Sequence, residues 1–256
     1  MLCVSACGGG STAAPTTAVT PTATTTATND RVIIVMMENQ DYTSVLGNNA
    51  APYLSGLAQR AATLQNLYAN THPSIGNYFM LTTGQFITND SSFNGVVTAD
   101  NLVRRMVASG RTWRVYAESI PSTGYLGGDV NPYVKRHNPF AYFSDVVNDA
   151  AQAQNIVGFG QLAADLNGNR LPDFAFVIPN NYSNMHDCPP GMATCTNAQK
   201  VTYGDTWLRD NIDPLLNSGA LPANTIVVIT FDEAGTDATN GGGKIVGIFA
   251  GPRAKV

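Results

Sequence analysis

The sequence predicts an α/β sandwich: a largely parallel central sheet flanked by helices. The run "RVIIVMM" (31–37) is continuously apolar and β-branched, the pattern of a strand buried on both faces. Strand and helix signals alternate from residue 31 onward, which is how crossover helices build a parallel sheet. The 44% of apolar residues in 256 supply the core of one good-sized domain.

The elements follow in order. After the first strand, "APYLSGLAQRAA" (51–62) has helical spacing. Pro73 precedes a second helical run, "SIGNYFMLTT", which puts Ser74 at or near a helix N-terminus. "TADNLVRRMVASG" (98–110) reads as a helix with a Thr cap and a closing Gly. "TWRVYAE" (112–118) and "DFAFVIP" (173–179) are strands, and "GDTWLRDNIDPLL" (204–216) is an amphipathic helix. "NTIVVITFD" (224–232) and "KIVGIFAG" (244–251) close the pattern as strands. In such sheets ligands bind beyond the carboxyl ends of the strands, so the residues just after each strand are the candidates for chemistry.

Composition narrows the function classes. A net charge of −4 gives no electrostatic basis for a nucleic-acid partner. No apolar run approaches the ~18 residues of a membrane span. Charged residues are only 12%, with Thr, Asn, Ser and Gly carrying the surface, a habit of exported proteins. Residues 1–29 stand apart from the body at 30–256. They hold no aromatic residue and no charge, and residues 8 to about 29 cannot bury enough area to order themselves. "VSAC" before "GGGS" resembles the processing site of a bacterial lipoprotein, with Cys7 as the lipidated residue; a chance cysteine among small residues is the alternative. The leader before it is short, so the true start is expected upstream. The reading is therefore an exported protein, in the periplasm, at the cell surface or secreted, touching a membrane only through that anchor. The sequence carries no signal for an oligomeric state.

Cys188 and Cys195 flank "CPPGMATC" and can close a short loop, worth about 2–3 kcal/mol in the loop-entropy picture. A zinc site is the rival, disfavoured because no second cysteine pair exists to complete it.

Three strand ends carry the candidate chemistry: Glu38-Asn39 after the first strand, Asp232-Glu233 after "NTIVVITF", and His186-Asp187 in the "NNYSNMHDC" that follows "DFAFVIP". Each alone reads as a turn or a cap. Together they place carboxylates, an amide and an imidazole at one sheet edge, where a divalent cation relieves the repulsion. Oxygen-rich ligands with one or two His fit calcium, magnesium, manganese or zinc. Ser74 at a helix start would meet a phosphate favoured by the free N–H groups there, and a metal would ease loss of its proton. Asn77, one turn on, would donate its amide to a phosphoryl oxygen. The rival reading makes Ser74 an N-cap and Asn77 an ordinary helix residue, with Thr71 and His72 as turn residues.

"VIIVMMENQDYTSVLG", "NTHPSIGNYFMLTTG", "PNNYSNMHDC", "GDTWL" and "VVITFDEAG" resemble the successive motifs of the bacterial phosphoesterase family of acid phosphatases and phospholipases C. The likeness spans about residues 31–252 and leans toward the small secreted acid phosphatases. It implies an alkaline-phosphatase-like sandwich and metal-assisted hydrolysis of phosphate esters through a covalent phosphoserine. By motif, Glu38, Asn39, Ser74, Asp232 and Glu233 would gather around the metal, and the nucleophile would be Ser74 rather than Thr71. The family pattern also implies that His72, His137 and His186, the only three histidines, line the phosphate site as donors, ligands or leaving-group acid. The substrate would be a small phosphate ester or a lipid headgroup. A phospholipase C acting on a diester is the alternative. Members of this family continue past the last strand into a segment with another His, whereas this sequence ends at "GIFAGPRAKV"; a missing C-terminal segment, and with it an inactive or binding relative, is the third expectation.

Other motifs carry less. "DLNGNRLPD" has Asp165, Asn167 and Asn169 at calcium-loop spacing but Phe176 where the bidentate Glu belongs. "GGGKIV" lacks the rest of a phosphate loop, no G-x-S-x-G occurs, and "SIGN" does not match a sulfatase nucleophile segment.

Overall fold

The computed structural model describes residues 30–255, so Cys7 and the segment 1–29 lie outside the described residues. The strands are β1 (Arg31–Met37), β2 (Ala62–Thr63), β3 (Leu67–Tyr68), β4 (Trp113–Ala117), β5 (Ile156–Gly158), β6 (Phe174–Ile178), β7 (Thr225–Phe231), β8 (Lys244–Ile245) and β9 (Gly247–Ala250). The α-helices are α1 (Tyr42–Val45), α2 (Pro52–Arg60), α3 (Ser74–Thr83), α4 (Leu102–Ala108), α5 (Ser144–Val147), α6 (Ala150–Ala153), α7 (Gln161–Asn167), α8 (Asn197–Asn211) and α9 (Asp213–Asn217).

Seven strands form the main sheet in the order β2-β9-β7-β1-β6-β4-β5. The five from β7 to β5 are parallel, as their continuous apolar runs require. The last predicted strand departs from this. It splits at Val246 into β8, which pairs with β3, and β9, which runs antiparallel to β7 and carries β2 on its other side. Two cores result, one per face. Ile33, Val35 and Met37 point with Val227 and Ile229 into the first, which also holds Leu54 and Leu57 of α2 and Val201 and Leu208 of α8. Met36 and Phe176 join the second with Ile75, Tyr78 and Phe79 of α3 and an aromatic group around Phe140 and Phe143.

Helix boundaries moved where capping chemistry outranks hydrophobic spacing. The predicted 98–110 helix is α4 alone, because Asn101 rather than Thr98 accepts the Arg104 N–H. The predicted 204–216 helix is two: α8 begins earlier, at a capping box of Thr196 and Gln199, and Pro214 starts α9. Strand β5, helix α7 and the 3-10 turns Lys135–His137 and Pro139–Tyr142 were not foreseen. Asp165 of the calcium-like loop bonds to Arg114, Tyr116 and Gln161, a buried structural network.

The "GDTWL" motif is scaffold. Helix α2 starts at Pro52 with no side-chain cap of its own. Asp205, buried on α8, supplies one from across the core: Tyr53 N donates to its Oδ2 at 2.9 Å and Leu54 N to its Oδ1 at 2.8 Å. Trp207 Nε1 donates to Glu118 Oε1, whose other oxygen accepts the Asn180 N–H and so fixes the loop after β6. Gly204 lets that loop pass close, since a Cβ there would sit 2.8 Å from Ser183 O. Asp205→Ala is expected to cost about 2 kcal/mol by orphaning two buried N–H groups, read as a lower urea midpoint at unchanged m-value.

Candidate active site

The parallel register of β1 and β7 sets Met37 opposite Phe231, so Glu38 and Asp232-Glu233 leave the sheet side by side. Asp232 N donates to Met37 O and Asn39 N to Asp232 Oδ1, both at 3.1 Å, which locks the two strand ends together. Glu38 is 0% exposed, Glu233 3% and Asp232 4%. Burial, and then the Asp232 charge, hold the Glu38 carboxyl well above the usual carboxylate range. Burial and Glu233 push Asp232 up to about 7, and burial raises Glu233 against the pull of His72. Asp232 Oδ2 is buried without a hydrogen-bond partner.

Ser74 enters this cluster from α3. Pro73 occupies the N-cap position and makes no side-chain cap, so Ser74 is the first helical residue and its hydroxyl is free of capping. Ser74 Oγ lies 3.1 Å from Glu38 Oε2 and 3.2 Å from Glu233 Oε1, and accepts from Asn39 Nδ2 at 3.4 Å. The same Nδ2 donates to Glu38 Oε2 at 3.1 Å. Asn39 sits at φ 51, a left-handed conformation Asn tolerates. Glu38, Asn39, Ser74, Asp232 and Glu233 are thus brought together.

The segment before Ser74 is clamped from several sides. Asn77 Oδ1 accepts the N–H groups of Asn70 and Thr71, and its Nδ2 donates to Thr71 O at 2.7 Å. Asn77 therefore grips the loop backbone through its oxygen and one of the two hydrogens of its amide. Asn89, which the sequence reading passed over, donates to Thr71 Oγ1 and His72 O. The glycines of "GGGK" let a second backbone lie against this one: a Cβ on Gly241 would fall 2.1 Å from Asn70 O, and Gly242 N donates to Ala69 O. His72 Nδ1 is 2.9 Å from Glu233 Oε2 and its Nε2 is 3.1 Å from Asp237 O, so both ring nitrogens are occupied in orienting Glu233.

The other two histidines form a path away from the carboxylates. His137 is buried, with Nε2 3.3 Å from Glu38 Oε1 but outside hydrogen-bond geometry, and its ring is 6.0 Å from that of His186. Burial, with Arg136 and His186 nearby, holds the imidazole well below its usual range. His186 is partly exposed, and its Nδ1 is 2.7 Å from Asp187 Oδ1. Asp187 Oδ2 accepts from Asn181 Nδ2. Both oxygens of Asp187 are thus engaged, and Asp187 orients His186 instead of joining the carboxylate cluster as expected. Asp187 leads into Cys188, which is bonded to Cys195, so the disulfide and not a zinc site holds this loop.

Among the described residues, no three His, Cys, Asp or Glu side chains alone form a ready metal-binding group. The donors that converge are mixed: carboxylates, the Asn39 amide and the Ser74 hydroxyl. No described helix is long and apolar enough to cross a membrane.

This sheet is shared with the alkaline phosphatase superfamily. A member from Vibrio parahaemolyticus superposes with a TM-score of 0.60 at 15% identity over 89% of this chain and 61% of its own. The lipoteichoic acid synthase LtaP from Listeria monocytogenes gives 0.58 at 14% over 90% and 67%. Residues 46–241 match the model of the Phosphoesterase family, and the chain belongs to that family. A probable acid phosphatase from Kluyveromyces lactis is 31% identical over 212 residues, and an acid phosphatase from Aspergillus fumigatus 32% over 220. A phosphatidylinositol-3-phosphatase from Mycobacterium tuberculosis is 30% identical over 205. The chain is matched over 79%, 81% and 79% of its length but covers 47%, 45% and 62% of these relatives.

The raised Asp232 carboxyl makes a prediction for protein stripped of divalent ions. The folded state holds this proton to about pH 7, the unfolded chain only to its ordinary 3.8, so this group's contribution to stability falls as pH rises between them. Asp232→Asn, which cannot ionise, should melt higher than the unaltered protein at pH 8 in chelator, by roughly 5 °C, with the gap reduced to about a third at pH 5. Thermal denaturation at the two pH values checks the sign.

Proposed function

We propose that this chain is a metal-dependent phosphomonoesterase, an acid phosphatase in which Ser74 attacks phosphorus. The observation that carries the proposal is a serine hydroxyl at a helix start, between two buried carboxylates and beside a third that has an unpartnered oxygen. Burial and mutual repulsion hold these carboxyls above the usual carboxylate range, a strain that a divalent cation relieves, so the residues fit such an ion. Glu38, Asn39, Asp232 and Glu233, with Ser74 Oγ, would hold it. When bound, the cation favours the ionised hydroxyl and offsets charge on the phosphoryl oxygens.

The residues divide the work in this reading. The Ser74 proton passes to Glu38 or Glu233, each within hydrogen-bond reach of Oγ. The N–H groups of Ser74 and Ile75, at the start of α3, would favour the phosphate. Asn77, Asn89 and His72 act by positioning the Ser74 segment and Glu233. His186, tied through Nδ1 to Asp187, offers Nε2 to the departing oxygen, and water then cleaves the phosphoseryl ester. Export of the protein accords with the Cys188–Cys195 bond. Ser74→Ala is expected to lower p-nitrophenyl phosphate turnover by about 10³-fold or more, and chelator to abolish it until a divalent ion is restored. Full turnover by the Ser74 variant would refute the nucleophile.

A lipid phosphate ester is the second reading. A cavity of ≈ 440 Å³ runs between α3 and the sheet, lined by Ile34, Met36, Leu81, Val228 and Phe249 and ending against Asn77 and Asp232. Leu64 and Leu81 on its lining are 40% and 43% exposed. An apolar cavity that reaches a catalytic carboxylate suits the hydrocarbon part of an ester. On this reading kcat/KM rises with alkyl chain length across a series of alkyl phosphates, and a flat series rules it out.

A further inference from the structure

Ser74 and Tyr78 are four residues apart on α3 and therefore share one face of the helix. They meet the two oxygens of a single carboxylate. Ser74 Oγ is 3.1 Å from Glu38 Oε2, while Tyr78 Oη donates to Glu38 Oε1 at 2.5 Å. Neither partner is accessible: Tyr78 is 1% exposed and Glu38 0%. We propose that Tyr78 is a positioning residue that anchors one oxygen of Glu38, so that the other is held toward Ser74 and the bound cation. The proposal rests on the metal-dependent reading of the site.

The geometry favours a clamp over incidental contact. A carboxylate rotates readily about its last torsion, which is broad and nearly two-fold, so a lone Glu38 would not distinguish its oxygens. Here Oε1 faces Tyr78 Oη and lies 3.3 Å from His137 Nε2, whereas Oε2 faces Ser74 and Asn39. The Tyr78 ring is itself fixed. It stacks on His137 at 5.6 Å and 15°, and meets Phe176 edge-on at 6.3 Å. The hydroxyl thus reaches Glu38 from a ring wedged between a turn and β6. Glu38 is fixed from its other side too, because its N–H donates to Asn184 O. Hydrogen-bond donors behind a ligand carboxylate set its orientation and basicity, and losing one typically costs 10–100-fold in metal affinity.

Tyr78→Phe keeps the ring and removes only the donor. Ion-stripped protein titrated calorimetrically with Ca²⁺, Mg²⁺, Mn²⁺ or Zn²⁺ alone should show affinity reduced about 10–100-fold for whichever ion binds. Turnover of p-nitrophenyl phosphate at saturating ion should lose kcat with KM changed less than about threefold. The melting temperature of the stripped variant should stay within about 4 °C of the parent. Unchanged affinity overturns the assignment, as does a large fall in melting temperature with affinity intact. Glu38→Gln is the second variant. In that background Tyr78→Phe should weaken ion uptake no further, and a full additional loss would place its action elsewhere. If the unaltered protein takes up none of the four ions, the metal reading and this assignment fall together. Uptake without ester turnover sinks the hydrolase reading alone, because the Tyr78 effect is read on binding.

Discussion

The structure is organised around a confrontation of like charges. Parallel pairing of β1 with β7 brings Glu38 up against Asp232 and Glu233, and the surrounding layers bury all three. Three carboxylates in one dry place are unstable as ions, so the site holds protons, accepts donors or takes a cation. The first two are visible in the neighbourhood. The carboxyls hold their protons more tightly than usual, and Asn39, Ser74, Tyr78 and His72 all turn polar atoms toward the cluster. The Ser74 hydroxyl placed there has two carboxylates at hydrogen-bond distance.

Much of the rest exists to hold that geometry still. The Ser74 segment has no regular pairing of its own immediately before α3, and Asn77, Asn89 and the 241–243 backbone replace it. The loop after β6 is fixed by Glu118, Trp207 and a disulfide. Several of these residues lie in the motifs that mark the family, yet their hydrogen bonds go to the backbone and to one another. The division is physical: backbone hydrogen bonds left open near an active centre must be closed by side chains brought from elsewhere.

The strands, the sheet's mostly parallel sense and the gathering of Glu38, Ser74, Asp232 and Glu233 were legible from local pattern, because parallel strands are apolar throughout and sites follow their carboxyl ends. The roles of individual polar residues were less so. Asn77 reads as an oxyanion donor by its spacing from Ser74, but its amide closes the Asn70–Thr71 backbone. Asp187 reads as a ligand by type, but its nearest base is the adjacent His186. His137 reads as a titrating imidazole until its burial is known. Asn89 and Tyr78 lay in plain view and attracted no notice, since a polar residue in a loop or a tyrosine in a helix has no distinctive sequence pattern.

By itself the sequence determined the sandwich, the polar residues at the strand ends, the cysteine pair and the helix that starts at Ser74. These follow from periodicity, β-branching, proline and spacing, which are local properties of the chain. Only the tertiary structure decided which oxygen of Glu38 faces Ser74, which side chains close the loops around it, and which histidine is buried. Those questions turn on burial and on partners far apart in the chain, such as Glu38 with Tyr78 and Asp205 with Leu54. Desolvation and long-range hydrogen bonding exist only once the chain has folded.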